Sequence, residues 1–97
     1  MPDFILLMHD DTQEPVRPDL WPPYFAKLRE AGVLQGGSAI GRGETVRKDG
    51  KSKPPTDHLS GYIRLSAENL AEAKALIHGN PVLECGGTVE ICALPRD

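Results

Sequence analysis

Long apolar runs, a metal-type cysteine spacing and a surplus of positive charge are all missing from this 97-residue chain. Its longest apolar stretch, Phe4 to Met8, is bracketed by Asp3 and by His9-Asp10-Asp11 and falls far short of the roughly 20 residues of a membrane span. No basic start, extended apolar segment and small-residue cleavage site mark a signal peptide, so export is not expected. The two cysteines, Cys85 and Cys92, form no CxxC pair, which points to reduced thiols and a cytoplasmic setting. With 11 Lys plus Arg against 14 Asp plus Glu the formal net charge is -3. Such a balance disfavours nucleic acid, whose binders carry a basic surplus, and it disfavours an anionic membrane surface. Aromatic residues make up only 5%, and Tyr62 alone cannot supply the adjacent stacking platforms of an RNA-binding sheet. Neither a zinc-type ligand spacing nor a phosphate-loop spacing occurs, so no metal and no cofactor is expected.

What is present fits one α+β domain over residues 1–97. A chain of this length removes only about 60 to 65% of its unfolded surface on folding, which makes a second copy a natural source of further stability. Phe4 to Met8 reads as a short central strand buried on both faces. Trp21, Phe25 and Leu28 share a helical stripe that starts near Leu20, with Pro22 and Pro23 tolerated in the first turn, and stops at Gly32. The small residues Gly36-Gly37-Ser38-Ala39 suit a strand with close backbone approach or a bulge. Thr45 to Lys51, around Asp49-Gly50, reads as a projecting hairpin with a type I' turn. Leu59 to Leu65 alternates as a strand, Ser66 caps a second helix carrying Leu70, Ala73, Leu76 and Ile77, and Gly79-Asn80-Pro81 ends it. Thr88 to Leu94 is the last strand.

This order is the split βαβ pattern of a ferredoxin-like subunit with an inserted hairpin, its first and third strands expected side by side and parallel. Both helices then cover one face, and a second copy covers the other in a dimeric α+β barrel. Parallel neighbours would place His9 and His58 at opposite strand ends, about 20 Å apart at roughly 3.3 Å per residue, excluding a dyad within one chain.

Several residues offer chemistry. His9 beside Asp10 and Asp11 could shuttle protons or simply be a solvated strand end; the second is preferred because neighbours on a strand point to opposite faces. Asp57-His58 is either a pocket dyad or a polar turn. Arg42, Arg47, Lys48, Lys51 and Lys53 could steer an anion, although the interleaved Glu44 and Asp49 favour a soluble arm of mixed charge. Trp21 and Tyr24 read as core or pocket-rim aromatics.

Taken together, the segments Phe4 to Asp11, Trp21 with Tyr24, Ala31 to Gly37, Thr45 to Lys51, Thr56-Asp57, Gly61-Tyr62, Asn80-Pro81 and Gly87 to Ile91 resemble the YCII-related proteins, in the branch with an Asp-Gly-Pro-Phe signature. That signature is reduced here to Asp57-His58-Leu59, and Tyr24 stands near a helix histidine proposed as catalytic in better-studied relatives. The resemblance implies a cytoplasmic homodimer binding a small organic molecule between sheet and helices, with acid-base turnover of lyase, isomerase or dehydrochlorinase type. His58, Asp57 and Tyr24 are the expected catalytic residues. His9, Trp21, Gly37, Arg47 and Tyr62 are the expected binding residues. The alternative is a non-catalytic dimeric module for metabolite sensing or protein interaction.

Overall fold

A computed structural model describes residues 1–96. The strands β1 (Asp3–His9), β2 (Leu34–Ala39), β3 (Leu59–Ser66) and β4 (Val89–Leu94) form one sheet in the order β2-β3-β1-β4. Helix α1 (Trp21–Glu30) links β1 to β2, while α2 (Leu70–Ala75) and the short α3 (Pro81–Glu84) link β3 to β4. This is the expected ferredoxin-like α+β arrangement. One expectation within it is wrong: β1 and β3 are antiparallel, as is every other neighbouring pair. Each helical crossover returns the chain to a strand running the same way as the one it left. The β2 to β3 connection reverses the chain, so β3, lying between β1 and β2, opposes both.

Only one face of the sheet is covered. Along β1, Phe4, Leu6 and Met8 are buried and alternate with half-buried Asp3, Ile5, Leu7 and His9, so the strand is central but not enclosed on both sides. Phe4, Leu6 and Met8 pack with Ile63 and Leu65 of β3 and with Leu28 of α1. The molecule measures 46 × 39 × 18 Å, and the short dimension holds a sheet and one helical layer. On the uncovered face the register places Ile5, Leu7, Tyr62, Cys92 and Leu94 together, all of them half-buried.

Helix α1 starts where the two prolines allow, with Leu20 as its N-cap. The second helical segment differs from expectation. Ser66 stays in β3 and donates its N–H to Val33; the cap is Asn69, whose side chain accepts from the Glu72 N–H at 2.9 Å. Asn80-Pro81 opens α3 instead of merely ending α2, because the fully buried Asn80 side chain accepts from the Val82 N–H at 2.9 Å. The projecting segment between β2 and β3 has no strand ladder. Gly50 takes φ 74° and, among the described residues, none other than glycine has positive φ, so Asp49 does not take the first central position of the expected type I' turn at Asp49-Gly50. Instead the Gly50 N–H bonds Arg47 O at 3.1 Å, Arg47 pairs with Asp49 at 3.0 Å, and Thr45 Oγ1 accepts from the Lys53 N–H at 3.0 Å.

β2 and β3 approach closely at Gly37, with a bulge between Leu34 and Gly36. A Cβ on Gly37 would stand 2.7 Å from the Tyr62 carbonyl oxygen and 3.2 Å from Ile63 Cα. Gly37→Ala is therefore expected to cost about 1–3 kcal/mol by forcing the strands apart. Urea unfolding measures the loss, and an unchanged midpoint would show that the contact relaxes freely.

Candidate functional site

Two side-chain groupings stand out, on opposite faces of the sheet. The first is a cleft under α1. Trp21 and Phe25, one helical turn apart, stack with ring centroids 5.5 Å apart and planes 18° apart. Beneath them β2 and β3 present Gly37, Ala39 and Gly61 from the covered face, leaving a cavity of about 390 Å³ closed by Met8, Ile63 and Val82 and bordered along the strands by Ser38, Ser60 and Tyr62, of which Ser38 and Tyr62 are turned by the register to the uncovered face. The volume lies within the ~300–1,000 Å³ range of small-molecule sites. Large aromatics stand over small strand residues, and that mismatch is what keeps the space open.

The second grouping forms where β1 ends. Antiparallel pairing puts the last residue of β1 beside the start of β3, so His9 and His58 meet with ring centroids 5.0 Å apart at 72°. The expected 20 Å separation is overturned with the parallel pairing that produced it. Glu90 faces Leu7 across the β1–β4 pair; it is thus a diagonal neighbour of His9, and His9 Nε2 lies 2.9 Å from Glu90 Oε1. That hydrogen bond, with the charges of His9 and His58, holds the Glu90 carboxyl below its ordinary range. The neighbouring acids are separately engaged: Asp11 accepts from the Thr88 hydroxyl at 2.6 Å and from its N–H at 2.8 Å, which lowers the Asp11 carboxyl. Among the described residues no cluster of three or more His, Cys, Asp or Glu has metal-holding geometry.

The structure distributes the expected residues unevenly. Trp21, Gly37 and Tyr62 line the cleft together. His9 and His58 meet on the other face, and Asp57 lies in a polar hollow with Asp10 and Arg42. Arg47 sits in the projecting loop, bound to Asp49 and outside the cleft. Tyr24 is buried to 2% exposure, its hydroxyl donates to Leu76 O at 2.8 Å, and burial pushes its phenol up. It borders a broad hollow with Lys27 and His78, but its one proton is committed to the backbone. Sequence reasoning missed Phe25, Met8, Ser38 and Ser60 as cleft residues, and Glu90 as the partner of His9. The alternation of Thr88 to Leu94 does mark Glu90 as a charge on the same face as Cys92 and Leu94; only the antiparallel register shows what it meets.

Because the Asp11 and Glu90 carboxyls titrate lower when folded, their stabilisation is complete above the ordinary carboxylate range and is lost as pH falls through the lowered values. Thr88→Val should move the Asp11 midpoint upward, toward its ordinary 3.8, and weaken that acid dependence. Carboxyl ¹³C shifts followed through pH report it; an unmoved midpoint would remove the Thr88 hydroxyl as the cause.

No protein-family model matches the chain, and no curated protein matches it in sequence. Among solved structures it is similar to 5-chloro-2-hydroxyhydroquinone dehydrochlorinase from Burkholderia phenoliruptrix, in complex with 2,5-dihydroxybenzoquinone. The TM-score is 0.62 at 17% identity, over 98% of this chain and 95% of that one. The likeness is one of fold, a ferredoxin-like α+β subunit.

Proposed function

We propose that the chain is a YCII-related cytoplasmic protein that binds a small planar organic molecule between α1 and the β2–β3 pair, as a homodimer. The observation that carries the reading is the cleft itself: two stacked rings over a glycine-lined floor, about 390 Å³ in volume. A flat ring fits such walls through stacking and area burial. The similar dehydrochlorinase was solved with a single-ring quinone, which supports a ligand of that size class.

The non-catalytic alternative draws on one specific feature. Of the residues that border the cleft Tyr62 is the single ionisable one, and the register turns its phenol to the uncovered face, so the cleft binds without supplying an acid or base of its own. Turnover of lyase or isomerase type would have to recruit Asp57 and His58 from beyond its rim.

Titration with 2,5-dihydroxybenzoquinone and simple phenols, followed by calorimetry, tests the reading. Saturable binding is expected, weakened about tenfold by Phe25→Ala as one wall of the stack is removed. Absence of binding across the series would end it.

The homodimer rests on the apolar centre of the uncovered face, Ile5, Leu7, Tyr62, Cys92 and Leu94. A thin two-layer subunit gains by covering that strip. Light scattering at micromolar concentration is expected to give twice the 10.5 kDa chain mass, and Leu7→Lys to return it to the chain mass. A wild-type monomer would overturn the assembly and leave the cleft untouched.

A further inference from the structure

The strand ends bring together three side chains that the cleft does not use. Glu90 accepts a hydrogen bond from His9 Nε2 at 2.9 Å, and the His58 ring stands edge-on to His9 at 5.0 Å. An ionised carboxylate can only accept hydrogen bonds, and this contact keeps the Glu90 carboxyl ionised at neutral pH. The proton between them therefore sits on Nε2, and in the neutral ring Nδ1 is left as the lone-pair nitrogen.

Nothing in the backbone requires this arrangement. The His9 N–H is bonded to Thr88 O at 2.9 Å, so the sheet pairs there without the imidazole. In the single chain the side chains of His9 and Glu90 retain 23% and 48% exposure and His58 is exposed, and the three stand at the end of the apolar strip, so a solute can reach them there. Glu90 lies within β4 and His9 is the last residue of β1, at the register shift against β3 and held by its N–H bond to Thr88, so both sit on strands of the scaffold, the setting that favours a constant geometry.

We propose that His9, oriented by Glu90, is a general base toward a carbon acid, a small molecule whose C–H is activated by a carbonyl or an electron-poor ring, with His58 relaying the proton to solvent. Phenol and alcohol O–H groups exchange with water unaided, so a held base matters for C–H. In the step, the Nδ1 lone pair takes the proton and an N–H bond forms as the C–H bond breaks. The bonding pair stays on the substrate as an enolate, or becomes a new π bond while a departing group leaves with the electrons of its own bond, and the imidazolium proton then passes to water by way of His58. Glu90 is a positioning residue that fixes the tautomer and balances the imidazolium charge. The site lies on the face opposite the cleft and is tested on different variants, so either reading can fail alone.

The probe is 5-nitrobenzisoxazole, which opens to a coloured cyanophenolate when a base removes its C3 proton and the N–O bond breaks. The full chain is expected to accelerate this about 100-fold over equimolar imidazole, His9→Gln to return it to background, and Glu90→Gln to lower it about tenfold. In ¹⁵N spectra His9 is expected as the Nε2–H tautomer in the wild type and as a mixture in Glu90→Gln. A wild-type rate equal to imidazole, a His9→Gln variant as fast as wild type, or a wild-type Nδ1–H tautomer would overturn the proposal. An unchanged rate in His58→Gln would strike out the relay.

Discussion

A strand that runs against both of its neighbours organises this molecule. β1 pairs residue by residue with β3 on one side and β4 on the other, all antiparallel, so the end of β1, the start of β3 and the start of β4 fall at the same edge of the sheet. Everything chemically distinctive at that edge follows. His9, His58 and Glu90 are far apart in sequence and become neighbours because two helical crossovers and the one reversal between β2 and β3 bring their strands to a common level.

The second constraint is that helices cover one face alone. Alternation along each strand then divides the sheet into an enclosed side, built on Phe4, Leu6, Met8, Ile63 and Leu65, and an open side. On the enclosed side the mismatch between the Trp21 and Phe25 rings and the small residues of β2 leaves a cavity where a packed core would ordinarily continue. On the open side apolar residues run along the centre and ionisable ones stand at one end. One layer of helices thus produces both a sheltered apolar space and an accessible polar cluster.

The elements themselves were largely legible in the residues. Two prolines permitted only in a first turn located α1, period-two alternation located β3, and the run of glycine, serine and alanine marked a strand of close approach. Where local reasoning failed, a different local competitor won. Asn69 outdid Ser66 as a cap because Ser66 was already paired in the sheet. The Asp49-Gly50 turn closed through side chains and lacked a ladder, since Lys48 and Asp49 keep negative φ. Trp21 and Gly37 stand at the cleft, whereas Tyr24 is bound to the backbone at Leu76.

The sequence by itself determined the four strands of the sheet, the two helical connections and their order, their amphipathic faces and the absence of a positive field, because each of these is a property of near neighbours along the chain. Relative strand direction, and with it the meeting of His9, His58 and Glu90, was decided only by the tertiary structure. Strand periodicity tells which face a side chain occupies and is identical for parallel and antiparallel pairing; which end of one strand lies beside which end of another is a property of the assembled sheet.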